Sequence, residues 1–181
     1  MEAFLQESGM PYKKKSKSSL DTYYDTKNHA LYAKDCSLRR KISSKGKVKL
    51  TLKRPISNDL GMMSREEIEI MSDGSLESLK EFAAPYFPGL KIADMPALTV
   101  LNTRTAFEYK DGSGIKLSID DCRYVDGHNT LDFYEIELES MDGDIHRGFD
   151  TIGILDFISS DLGFKLTVQS KYSRGIAWKG E

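Results

Sequence analysis

Glu135-Ile136-Glu137-Leu138-Glu139 places a carboxylate at every second residue and a branched aliphatic side chain between each pair. In an extended strand alternate side chains point to opposite faces, so this stretch has one acidic face and one apolar face. The same period recurs upstream. Ile115, Leu117 and Ile119 oppose Lys116, Ser118 and Asp120, and within Leu98–Tyr109 one parity gathers Asn102, Arg104 and Glu108 against Leu101, Phe107 and Tyr109. Arg65, Glu67 and Glu69 alternate with Ile68 and Ile70. Val48, Leu50 and Leu52 oppose Lys47, Lys49, Thr51 and Lys53, while Leu38 and Ile42 share a face opposite Arg39 and Lys41. Downstream, Phe164, Leu166 and Val168 oppose Lys165, Thr167, Gln169 and Lys171. Seven such stretches predict a mainly antiparallel β structure with one polar and one apolar side.

Helical spacing breaks this pattern twice. Leu76, Leu79, Phe82, Ala83 and Tyr86 follow a Ser75 N-cap and predict a helix over Leu76–Phe87. Ile152, Leu155, Ile158 and Leu162 form a second stripe, capped at Asp150 or Thr151 and stopped by Gly163. Glu2–Glu7 reads as the tail of a third helix closed by Gly9. The class is therefore α+β, with helices covering the apolar faces. No repeat or linker divides the 181 residues, so a single domain over 1–181 is expected.

Apolar residues are 39% of the chain and no run approaches the roughly 20 needed to span a membrane. The opening MEAFLQESGM lacks a basic segment followed by an apolar one, which predicts a cytoplasmic protein. Cys36 and Cys122 have no metal-binding spacing and are expected as buried apolar groups. The net charge of −2 conceals an asymmetry: residues 10–54 hold 14 Lys/Arg against 3 Asp. Lys13, Lys14, Lys15 and Lys17 read as a solvated basic loop, which gives no ground for nucleic-acid binding.

The polar faces are segregated by sign. Arg39, Lys41, Lys49 and Lys53 are cationic; Glu135, Glu137 and Glu139 are acidic. Like charges along one strand repel, and solubility alone would intersperse the signs, so the segregation points to a binding site. Cations facing one way and carboxylates another suit a polyphosphate bridged to carboxylates by a divalent metal.

Six motifs in order carry a resemblance: Tyr-Tyr-Asp-Thr at 23–26, Ser-Leu-Arg-Arg-Lys at 37–41, Thr-Leu-Lys at 51–53, Arg-Glu-Glu-Ile-Glu at 65–69, Glu-Ile-Glu-Leu-Glu at 135–139 and Ser-Lys-Tyr at 170–172. From about Leu20 to Trp178 the chain resembles the CYTH, or triphosphate tunnel metalloenzyme, superfamily of class IV adenylate cyclases, thiamine triphosphatases and inorganic triphosphatases. The resemblance implies an antiparallel tunnel, eight-stranded in the family, whose interior charges grip a triphosphate with Mg²⁺ or Mn²⁺. It implies substrate contacts from Arg39, Lys41, Lys53, Arg65 and Arg104, with Arg104 and Lys171 also acting in catalysis. Glu67, Asp120, Glu137 and Glu139 match the acidic, metal-binding positions, and Glu69 and Glu135 share the parity as supporting residues. Arg40 has the outward parity of a surface residue. Tyr23, Tyr24 and Asp25 are expected to be structural, Asp25 by bonding turn amides.

The family's first strand carries Glu-x-Glu-x-Lys well upstream of the tyrosine pair. Here 22 residues precede Tyr23, and Glu2 and Glu7 lack that spacing. The expectation is a tunnel without its first strand and part of its metal site, whose two unpaired edges invite a homodimer. Metal-dependent triphosphate hydrolysis is the leading expectation. Cyclisation of ATP in the manner of class IV adenylate cyclases, or non-catalytic binding of a polyphosphate or nucleotide, are the alternatives.

Overall fold

The computed structural model describes residues 1–7, 11–57, 64–109, 115–140, 153, 157–165, 167 and 169–180, and of Ser57, Ser64, Tyr109, Ile115, Glu139 and Ser140 the backbone alone. Seven strands form one antiparallel sheet: β1 Tyr12–Tyr24, β2 Ser37–Ser43, β3 Val48–Ser57, β4 Ser64–Met71, β5 Leu98–Tyr109, β6 Ile115–Asp126 and β7 Asn129–Ser140. Their order is β4-β3-β2-β1-β5-β6-β7. With them come the helices α1 Glu2–Glu7, α2 Leu76–Ala83 and α3 Lys171–Lys179. The expected α+β class holds. No helix among the described residues is long and apolar enough to cross a membrane.

Six of the seven alternating stretches are strands where the period placed them; the exchange of the seventh is a correction. Phe164, Lys165, Thr167, Gln169 and Ser170 lie outside any strand, and Lys171 opens α3. The local reason is a cap: the Ser170 hydroxyl accepts the Ser173 amide at 3.0 Å, and a capped helix start overrides a weak two-residue period. Conversely, the run expected as a basic loop is part of β1. Its lysines hide the alternation, because each carries an aliphatic stem that can pack while its ammonium reaches a partner. Lys14 lies over the Phe107 ring, 5.9 Å from its centroid, and pairs with Glu2 at 2.7 Å, while Lys15 turns to Glu108. Of the expected helix over 151–162, residues 151, 152 and 154–156 lie outside the described residues; Phe157–Asp161 forms one π-helical turn, closed by the Leu162 amide on the Phe157 carbonyl at 3.1 Å.

The chain divides into two compact units. The first comprises 1–17, 103–121 and 134–167, and is built on Leu5, Phe107 and Leu117, with Ile119, Ile136, Leu138 and Ile158 packed around them. The second comprises 18–102, 122–133 and 168–181. In it the apolar faces of β2 and β3, Leu38, Leu50 and Leu52, are fully buried beneath Leu79, Phe82 and Ala83 of α2. Another cluster joins Tyr23, Leu98, Val100, Cys122, Tyr124 and Tyr172. Both cysteines are buried, as expected.

Helix α2 starts as its sequence signals: Ser75 accepts the Ser78 amide at 3.1 Å. Asp73 reinforces the start, accepting the Ser75 amide at 2.9 Å and the hydroxyls of Ser78 and Ser75 at 2.8 and 3.0 Å. The Ser75 amide first, then these hydroxyls, hold the Asp73 carboxyl at about 2, below its ordinary 3.8. Because the folded value is the lower one, its contribution is complete above 3.8 and fades as pH falls through about 2. An NMR titration should place Asp73 near 2 and show a rise in Ser78→Ala; an ordinary midpoint in the unsubstituted protein would refute the capping network.

Within α3, Gly175 permits a close approach. A Cβ there would lie 2.3 Å from Leu98 Cδ2 and 3.1 Å from Tyr124 Cε1. Gly175→Ala should therefore destabilise by about 1–3 kcal/mol through overpacking, although alanine is the better helix former. Urea denaturation checks this, and unchanged stability would mean that Leu98 moves aside freely.

Candidate functional site

In the second unit, β2, β3 and β4 pair so that Arg39 faces Thr51, Lys41 faces Lys49, Thr51 faces Glu69 and Lys53 faces Glu67. β1 adds Asp21 opposite Lys41 and Tyr23 opposite Arg39. Leu38, Leu50, Leu52 and Ile68 take the other side, so the apolar cluster under α2 fixes which way the charged set points. The predicted residues Arg39, Lys41, Lys53 and Glu67 thus share one polar face. The two cationic strands β2 and β3, on which Lys41 and Lys49 face each other directly, are flanked by Asp21 on β1 and by Glu67 and Glu69 on β4, which supply the opposite charge. Lys53 pairs with Glu67 at 2.9 Å and Lys49 with Glu69 at 2.6 Å.

Asp21, which the sequence did not single out, is fully buried beneath these cations. Its Oδ2 accepts Arg39 Nη1 at 3.1 Å and lies 3.6 Å from Lys41 Nζ. Arg39 also donates to Thr51 Oγ1 at 3.3 Å and comes within 3.9 Å of Glu67. Burial works against its charge, but Tyr23, Asp21 and Glu67 together push its pKa up, so it remains a fixed cation. Burial also pushes the Tyr23 phenol up, against the charges of Arg39 and Lys171 and with that of Asp21. Burial alone would raise Glu69, yet the hydrogen bond and charge of Lys49 outweigh it and hold the carboxyl below its usual range.

Two predicted residues have other settings. Arg65 turns from the cation set to Asp35, donating to its carboxylate at 2.6 Å and to its carbonyl at 3.3 Å. Lys171 is the first residue of α3, buried, with its backbone carbonyl accepting the Tyr124 hydroxyl at 2.7 Å. Its charge works to lower the Tyr23 pKa, against the larger effect of burial. Arg40 has the outward parity expected, but it is half-buried: it donates to the Gly74 carbonyl at 2.9 Å and stacks 5.4 Å from the Tyr24 ring centroid.

The tyrosine motif is structural, as expected. Asp25 Oδ1 accepts the amides of Thr26 and Leu31 at 2.6 and 2.8 Å, and Oδ2 accepts the Tyr32 amide at 2.9 Å and the Tyr172 hydroxyl at 2.7 Å. This one carboxylate ties the turn after β1 to α3.

In the first unit, Arg104 on β5, Asp120 on β6 and Glu135 and Glu137 on β7 come together. Arg104 binds Asp120 through two bonds of 2.7 and 2.6 Å and reaches Glu137 at 2.5 Å. Asp120 is fully buried, and one carboxylate oxygen each from Asp120, Glu135 and Glu137 lies within 4.8 Å of the others. Of the predicted metal ligands, Asp120 and Glu137 are therefore adjacent, and Glu135 joins them as a full member rather than a supporting residue. Its alternation with Glu137 was the available signal. The Glu139 side chain lies outside the described residues. The donor set consists entirely of carboxylate oxygens, which fits a hard divalent cation and not a thiolate- or imidazole-seeking metal.

The family model for the CYTH domain matches residues 10–163. The chain belongs to the CYTH domain family. No curated protein matches it by sequence. Solved structures with the CYTH-type fold align along almost its full length. The adenylyl cyclase candidate HpAC1 from Hippeastrum, described as having a dominant triphosphatase activity, superposes with a TM-score of 0.66 at 18% identity, covering 97% of this chain and 89% of that one. The PH1819 protein from Pyrococcus horikoshii gives 0.59 at 20% identity, over 99% and 92% of the two chains. An adenylate cyclase candidate from Bacillus halodurans gives 0.56 at 15%, over 96% and 89%. At these identities the likeness is one of fold, and it supports the tunnel-type CYTH architecture expected from the motifs.

Proposed function

We propose that this CYTH protein, acting as one domain over 1–181, hydrolyses inorganic or organic triphosphate with a divalent metal. The observation that carries the proposal is the cluster of Asp120, Glu135 and Glu137, whose carboxylate oxygens converge within 4.8 Å beside Arg104, an all-oxygen donor set that suits a hard divalent cation. Mg²⁺ or Mn²⁺ would be held by these three side chains, and when bound supplies Lewis-acid stabilisation of charge on phosphoryl oxygens.

Arg39, Lys41 and Lys53 are assigned to non-bridging phosphate oxygens, with Asp21, Thr51 and Glu67 keeping them in place. Arg104 is assigned to the phosphoryl group undergoing transfer, Lys171 to the leaving phosphate and Arg65 to the outer end of the substrate. In the reaction, water attacks the terminal phosphorus, the bond to the bridging oxygen breaks, and the departing diphosphate carries away the electron pair. Such transfers depend on positioning and charge neutralisation, which a face of fixed cations can supply.

One observation favours a second reading. Arg104 already spans Asp120 and Glu137, so it would compete with a metal, as expected in a non-catalytic polyphosphate or nucleotide-binding module. Incubation with inorganic triphosphate, thiamine triphosphate or ATP, following orthophosphate, pyrophosphate and cyclic AMP, separates the possibilities. Orthophosphate release supports the hydrolase, cyclic AMP with pyrophosphate replaces it by a cyclase, and binding without any product replaces it by the module.

A further inference from the structure

On β6, Ser118 shares the face of Asp120, because Leu117 and Ile119 on the opposite parity turn into the apolar cluster around Leu5 and Phe107. Ser118 is fully buried, and among the described residues its Oγ has no hydrogen-bond partner. A hydroxyl removed from water without a partner is a standing cost, and buried polar groups are bonded in the great majority of cases. Alanine would occupy the same space without that cost, so the fold by itself does not require an oxygen here. What lies along the same face is the carboxylate group of Asp120, Glu135 and Glu137. A hard divalent cation takes about six or more oxygen ligands, so three carboxylates leave coordination positions to be filled.

We propose that Ser118 Oγ is a further oxygen ligand of a divalent cation at Asp120, Glu135 and Glu137, an inference that rests on the metal role assigned to those carboxylates above. The hydroxyl, buried and without a partner among the described residues, keeps its lone pairs available to the ion. Neutral oxygen from serine adds coordination without adding a further negative charge to three converging carboxylates.

The proposal requires Ser118→Ala to move two quantities in opposite directions. In the metal-free, full-length protein the thermal midpoint should rise, by about 2–4 °C, since an unsatisfied hydroxyl has been removed. In calorimetric titration with Mn²⁺ alone, the same variant should bind about tenfold more weakly than the unsubstituted chain. Equal Mn²⁺ affinity in the two proteins would overturn the ligand role, and a lowered midpoint in the metal-free state would show that the hydroxyl serves the fold instead. If the unsubstituted chain itself binds no Mn²⁺, the carboxylate reading fails, and the role of Ser118 with it.

Discussion

Glu137→Gln is expected to lower metal-dependent phosphate release by about 10²–10³-fold while leaving the protein folded. Glutamine keeps the size and one oxygen of the side chain but removes a negative charge from a cluster that also includes Asp120 and Glu135. It also weakens the 2.5 Å contact from Arg104, whose two bonds to Asp120 remain. Lost attraction to Arg104 is offset by relief of repulsion among neighbouring carboxylates, so unfolding free energy should change by no more than about 1 kcal/mol. Parallel assays of turnover and urea stability check both halves. Normal turnover would remove Glu137 from the metal site; a large stability loss would make it a structural partner of Arg104.

Asp25→Ala should be the most damaging single substitution to stability, costing about 4 kcal/mol. It would strand the amides of Thr26, Leu31 and Tyr32 and the hydroxyl of Tyr172, all donors to one buried carboxylate. Burial, the hydrogen bond the hydroxyl donates to Asp25 and the charge of Asp25 hold the Tyr172 proton on, raising that phenol's pKa. The hydroxyl is thus a dedicated donor. Tyr172→Phe should cost only about 1–2 kcal/mol, since three amides still satisfy Asp25. A shift in urea midpoint measures each, and near-equal costs for the two substitutions would contradict the dominance of the turn amides.

What was legible in the sequence follows from how each feature is encoded. Six strands announced themselves because aliphatic and charged residues alternate in them, as in Val48–Lys53 and Glu135–Leu138. β1 did not, because Lys13, Lys14 and Lys15 look alike in hydropathy although Lys14 covers Phe107 and Lys15 pairs with Glu108. The period in Phe164–Lys171 misled because Ser170 is a helix cap, a local signal embedded in an apparent strand. Parity alone placed Arg39, Lys41, Lys53 and Glu67 on the polar side of their strands, and Arg104, Asp120 and Glu137 on the polar side of theirs. It could not foresee the long-range pairing of Arg65 with Asp35, or the buried Asp21 between Arg39 and Lys41, since both depend on which strands become neighbours.

Triphosphate chemistry in this chain is expected to need a divalent cation. The most direct measurement is orthophosphate release from inorganic triphosphate in Mn²⁺, in Mg²⁺ and in EDTA, with Glu137→Gln beside the unsubstituted protein. Release that appears with the metal, disappears with chelation and falls about 10²-fold or more in the variant is the expected result. Release that is indifferent to EDTA, or no release in any condition alongside tight metal-free binding of triphosphate, would contradict it.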